Sequence, residues 1–135
     1  QLREVAKEYG AATGRPRTIG HFDAVATRYG IKIQGATEVA LTKLDSLTGR
    51  DSLKICTHYN FRDKLIDSFP INPILEEAKP VYIELPGWDK DISKIRRFKD
   101  LPQNAQSYVL EIEKKIECPI KYISVGPERE AIIIR

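Results

Sequence analysis

Arg15 and Arg17 stand on either side of Pro16 in the stretch GAATGRPRTIGHFDA, residues 10 to 24. A guanidinium is a planar fork of donors that fits a carboxylate or phosphate in bidentate fashion. Pro16 restricts the backbone between the two arginines, Gly14 admits close approach of a ligand, and Thr13 adds a hydroxyl and an amide. The pattern suits an anion clamp. Two surface arginines on a solvated turn share the same spacing, so the stretch alone leaves both readings open.

A second candidate is the tripeptide Lys43, Leu44, Asp45 at the end of TEVALTKLD. On a strand, the period of two places Lys43 and Asp45 on one face. A carboxylate there would accept hydrogen bonds from the N1–H and the exocyclic amine of guanine. Adenine lacks that donor pair and would leave a buried carboxylate unsatisfied. The lysine would pack along the base or approach its O6. A same-face surface ion pair is the alternative. A third candidate is Ser124, Val125 and Gly126, followed by a proline. It offers a hydroxyl, amides and a glycine to a ligand edge, or simply turns one strand into the next.

Other chemistries find little support. His21 and His58 are isolated, and no Ser-His-Asp, Cys-His or paired-carboxylate arrangement is visible. Neither glycine-rich phosphate-binding motif occurs. Cys56 and Cys118 sit in no C-x-x-C and are expected as reduced, semi-buried thiols. Nothing in the spacing of these residues argues for nucleophilic or glycosidic chemistry, or for a zinc or redox site.

These residues need a frame. With 135 residues, 41% of them hydrophobic, the chain can build one domain with a real core. The balance of 22 basic against 19 acidic residues is too mild to mark a nucleic-acid binder, so anion affinity must come from local placement. The basic run Lys94, Arg96, Arg97, Lys99 has no interleaved aromatics, and no nucleic-acid partner is expected. Nothing reads as a membrane span or signal peptide, so a soluble, cytoplasmic protein with no membrane partner is expected.

Leu2, Val5, Ala6 and Tyr9 share a helical face that stops at Gly10, read as the end of a helix begun upstream in a longer protein. Phe22, Val25, Ala26 and Tyr29 give a second helix, closed by Gly30 or Gly35. Strands are predicted over residues 37–43, 52–61 and 81–85, with an irregular excursion over 62–79. An amphipathic helix is predicted over 102–117, followed by IKYIS and EAIIIR as strands. The fold class is mixed α/β, a partly parallel sheet with flanking helices. In such sheets ligands gather beyond the carboxyl ends of strands, where both the Lys43–Asp45 and Ser124–Gly126 stretches fall.

The segments EYGAATGRPRTIGHFDAVATRY, LTKLDSLTG, YIELPGW and LPQNAQSYVLEIEKKIECPIKYISVGPER, in this order and spacing, resemble the C-terminal part of adenylosuccinate synthetases. The resemblance covers nearly the whole chain, least clearly residues 62–79. It implies that residues 1–135 are the C-terminal portion of a GTP-dependent, magnesium-requiring ligase that joins IMP and L-aspartate. That enzyme would be a homodimer with a larger nucleotide-binding-type fold. The resemblance further implies that Ala11, Ala12, Thr13, Gly14, Arg15, Pro16 and Arg17 form a mobile loop closing on aspartate. Arg15 would also reach IMP, and Arg17 would reach GTP. Lys43, Leu44, Asp45, Ser124, Val125 and Gly126 would form the guanine pocket.

Two positions depart from the family pattern. Ala12 replaces a threonine, and His21 replaces a tryptophan. The glycine-rich loop, catalytic aspartate and histidine and the magnesium ligands belong to the family's N-terminal portion, so the isolated 135-residue chain is expected to be inactive. Turnover by the purified chain would contradict that. A non-catalytic module that binds guanine nucleotides is the alternative function.

Overall fold

In the computed structural model, which describes residues 2–135, the chain runs α1 (Leu2–Val5), β1 (Phe22–Asp23), α2 (Ala24–Gln34), β2 (Val39–Leu41), a 3-10 turn (Leu44–Leu47), β3 (Ser52–Phe61), β4 (Lys64–Ile66), α3 (Asn72–Glu77) and β5 (Lys79–Pro86). A second 3-10 turn (Phe98–Asp100), α4 (Gln103–Ile116), β6 (Ile120–Ser124) and β7 (Ile132–Ile134) complete it. The class is mixed α/β with parallel pairs, as predicted. The strands form two small sheets rather than one.

The alternating run SLKICTHYNF makes β3, the centre of the first sheet. It pairs antiparallel with β5 from Ser52↔Pro86 to Asn60↔Lys79, antiparallel with β4, and parallel with the short β1. In the second sheet β2 runs parallel to β6, and β6 runs antiparallel to β7. One apolar core joins both sheets. Ile55 from β3, Ile112 and Ile116 from α4, Ile123 from β6 and Ile133 from β7 are all fully buried in it.

Local chemistry sets the helix ends. Asp23 caps α2, its carboxylate accepting from the Ala26 amide at 3.0 Å. The same carboxylate takes the Tyr59 hydroxyl, and burial followed by this bond pushes the tyrosine pKa up. Of the two glycines proposed to close α2, Gly35 does so, in the left-handed region at φ 63°. On α4 the buried face is Ala105, Tyr108, Ile112 and Ile116, as the apolar spacing predicts, with Val109 added to it.

Three sequence expectations need correction. The first helix ends at Val5, because Lys7 turns into the left-handed region and Gly10 serves a different turn. Residues 62–79 are ordered: Arg62 and Asp63, both at positive φ, form the two-residue turn of the β3–β4 hairpin. The guanidinium of Arg62 reaches Glu77 at 3.1 Å and lies over the Phe61 ring, contacts that accompany this unusual turn sequence. The strand predicted over 37–43 covers only Val39–Leu41, so Lys43 and Asp45 do not share a strand face.

Candidate functional site

The arginine loop is a closed hairpin with a defined neck. Tyr9 and Pro16 form an antiparallel bridge, and the Arg17 amide donates to the Glu8 carbonyl at 3.0 Å. Inside the neck the Gly10 amide donates to the Arg15 carbonyl at 2.9 Å, and the Gly14 amide to the Gly10 carbonyl at 2.8 Å. Gly14 takes a φ of 65°, which a residue with a Cβ adopts only with strain. Thr13 caps the bend, its hydroxyl accepting from the Arg15 amide at 3.3 Å. Ala11, Ala12, Thr13, Gly14, Arg15, Pro16 and Arg17 are all exposed. Arg15 pairs with no carboxylate among the described residues, whereas Arg17 meets Glu8 at 2.9 Å.

The second half of the site lies where two parallel strands end side by side. Leu41 of β2 is in register with Ile123 of β6, so the residues after each strand meet. Beyond β2 the backbone breaks sharply: Lys43 stands in the left-handed region at φ 59°, ψ 36°. Three polar contacts hold this costly conformation. The Lys43 amide donates to the Ser124 hydroxyl at 2.8 Å, the Ser46 hydroxyl donates to the Lys43 carbonyl at 2.7 Å, and the Lys43 ammonium donates to the Ala6 carbonyl at 2.8 Å.

This break delivers Asp45 into the 3-10 turn. Its Oδ1 is buried and has no hydrogen-bond partner, the one such side-chain atom among the described residues. Leu44 and Val125 are almost completely buried and act as packing. The Val125 amide donates to the Ala131 carbonyl at 2.9 Å, and a Cβ at Gly126 would come within 3.0 Å of the Ala131 Cβ.

Between the loop and this corner opens a cleft of about 450 Å³. Of the residues singled out from the sequence, Arg17, Lys43 and Leu44 line it. Arg15, Asp45, Ser124, Val125 and Gly126 lie outside it. The cleft wall also carries Glu8, Arg50 and Lys54, which sequence reasoning missed. Glu8 was legible only through the hairpin: once Tyr9 faces Pro16, Glu8 must sit across from Arg17. Its carboxyl is held below the ordinary carboxylate range, first by the Lys43 hydrogen bond and then by Arg17. His21 packs edge-on against Tyr82, with ring centroids 5.2 Å apart. In the basic run, Arg97 forms a two-pronged pair with Asp100, and Arg96 donates to the Ser93 and Ile95 carbonyls.

The architecture is therefore a mixed α/β fold whose polar groups converge beyond the carboxyl ends of adjacent parallel strands. The chain belongs to the adenylosuccinate synthetase family, whose model matches residues 1–133. It is 49% identical to the adenylosuccinate synthetase of Exiguobacterium sp. over 98% of this chain and 31% of that protein. It is also 49% identical to the synthetase of Geobacter sulfurreducens, over 99% of this chain and 31% of the relative. The solved structure of the fully ligated adenylosuccinate synthetase from Plasmodium falciparum superposes with a TM-score of 0.94. There the identity is 38%, over 99% of this chain and 33% of that one. The chain thus spans about a third of the length of the relatives it matches.

Proposed function

We propose that these residues form the aspartate-clamping and guanine-recognising portion of an enzyme that joins IMP and L-aspartate into adenylosuccinate while GTP is split to GDP and phosphate. In this reading Arg15 grips a carboxylate of aspartate and reaches IMP, and Arg17 lies between aspartate and GTP. Lys43, Leu44 and Asp45, with Ser124, Val125 and Gly126 across from them, hold the guanine. The steps are phosphorylation of the IMP O6 and displacement of that phosphate by the aspartate amine. The groups of this chain bind and orient; none carries a proton in the reaction. The enzyme would work as a cytoplasmic homodimer.

The observation that carries the proposal is Asp45. A buried carboxylate oxygen without a partner is costly, and the cost is met when a ligand supplies the donor. Guanine offers two adjacent donors, N1–H and the exocyclic amine, to the two oxygens of one carboxylate. The Lys43 ammonium is turned toward Ala6 and Glu8, which favours the lysine's aliphatic stem, rather than its charge, as the part lying along the base.

Among the described residues no three His, Cys, Asp or Glu side chains stand together; in this reading the magnesium ligands belong to the rest of the enzyme.

Asp45→Asn tests the reading in the full-length protein. The amide replaces one acceptor with a donor, so it clashes with the guanine donor pair. The expected result is a fall in kcat/KM for GTP of roughly 10²-fold or more. ITP, which lacks the exocyclic amine, should suffer a smaller fall. Equal losses for the two nucleotides, or none, would remove Asp45 from guanine recognition.

A further inference from the structure

Glu8 is the residue where the arginine loop and the guanine corner meet. Its Oε2 accepts from the Arg17 guanidinium at 2.9 Å, and its Oε1 accepts from the Lys43 ammonium. Its backbone carbonyl also takes the Arg17 amide at 3.0 Å, so Arg17 is fixed through main chain and side chain together. The Lys43 ammonium is held from a second side by the Ala6 carbonyl at 2.8 Å.

The exposures are uneven. The Glu8 side chain is 20% exposed, against 58% for Arg17 and 47% for Lys43. The carboxylate is thus the more buried partner; Arg17 and Lys43 turn their charged ends to it and leave the rest of their side chains exposed along the cleft. Two cations at one cleft wall repel each other, and a carboxylate between them relieves that repulsion. Ion pairs this exposed add little to stability, so the consequence lies in where the two cations point.

We infer that Glu8 is a positioning residue shared by the two substrate sites: one carboxylate oxygen aims Arg17 at the aspartate side, the other aims Lys43 at the guanine side, and the loop and corner are held in one register. The inference rests on the function proposed above. In this role Glu8 acts through the two cations and not on substrate. Glutamine at this position keeps the size but presents a single acceptor oxygen, so it can retain one cation and not both.

The experiment uses the full-length protein with Glu8→Gln. The KM for aspartate and the KM for GTP should each rise about ten-fold, while the KM for IMP and kcat move less than about three-fold. In an Arg17→Gln background the effect of Glu8→Gln on aspartate should vanish, and in a Lys43→Gln background its effect on GTP should vanish. A merely structural residue would instead move all three KM values together with Tm. Amide hydrogen exchange gives a readout that needs no turnover. The Gly10, Arg17 and Lys43 amides should exchange at least about ten-fold faster in the variant.

Rises above about three-fold in both KM values, with faster exchange, support the inference. A change confined to one substrate, smaller changes in both, or unaltered exchange overturns it. If the unmutated protein forms no adenylosuccinate, the proposed function falls, and the exchange rates alone decide whether Glu8 orders the loop and corner.

Discussion

Arg15→Leu in the full-length protein is expected to lower kcat/KM for aspartate roughly a hundred- to a thousand-fold while leaving Tm unchanged. The two halves of this expectation come from the same observation. Arg15 is exposed and pairs with no carboxylate among the described residues, so the fold loses nothing when its guanidinium is removed. Its backbone is nevertheless hydrogen-bonded on both sides. The Arg15 carbonyl accepts from Gly10 and its amide donates to Thr13, which aims the side chain outward from a narrow neck.

A substrate carboxylate closing on that fork would make two charge-assisted bonds in a site that water leaves. Leucine at this position leaves the carboxylate desolvated and unpaired, and that penalty sets the size of the loss. Arg15→Lys should recover only part of it, because an ammonium keeps the charge without the planar fork. A fall in kcat/KM smaller than about three-fold, with Tm unchanged, would mean that the loop does not clamp aspartate through Arg15.

Gly87→Ala is expected to destabilise the fold by about 3 kcal/mol or more. A Cβ at Gly87 would stand 1.7 Å from the Arg50 carbonyl oxygen and 2.7 Å from the Arg50 carbonyl carbon. Both are backbone atoms, so no side chain can rotate away. Nor can the segments separate cheaply. The Gly87 amide donates to the Asp51 carbonyl at 2.9 Å, and the Gly49 amide donates to the Trp88 carbonyl at 2.8 Å. The Asn104 side-chain amide donates to the Gly87 carbonyl at 2.7 Å.

The buried Trp88 adds a bond from its indole to the Thr48 hydroxyl at 3.2 Å. These contacts brace the segment that follows Asp45, so the damage should reach the Lys43–Asp45 corner as well. Thermal unfolding of the full-length protein checks the stability change, and an unaltered Tm would contradict the close approach. In the sequence Gly87 is only the glycine after Pro86 in YIELPGW. The close approach depends on Arg50, brought near by the β3–β5 pairing, which Ser52↔Pro86 closes at this end.

What was legible depended on how locally each feature is determined. β3 matches its alternating run SLKICTHYNF from end to end, and α4 follows its apolar spacing, because a strand or helix with one buried face carries its own period. The gathering of KLD and SVGP was legible as strand-end chemistry, and the parallel pairing of β2 with β6 brings them together. The division into two sheets was not legible, since strand period says nothing about which strands pair.

Lys43 shows a different limit. Residues 37–43 read as strand throughout, but the Ser124 hydroxyl, 81 positions along the chain, takes the Lys43 amide and helps hold the left-handed break. A tertiary contact of that kind overrides local propensity and leaves no trace in the tripeptide itself. Glu8 was missed for a related reason. Its partners Arg17 and Lys43 become neighbours only once the hairpin neck and the β2 corner have both formed.

Under the proposed function, this chain is part of an enzyme that uses GTP to join IMP and aspartate. The most direct test is the rate of adenylosuccinate formation by the magnesium-supplied full-length protein, with each of the three substrates omitted in turn and with ATP offered in place of GTP. The account predicts turnover only when all three are present, one phosphate released per adenylosuccinate formed, and little or no product with ATP. Absence of turnover in the folded, fully supplied protein, or equal rates with ATP and GTP, would contradict it.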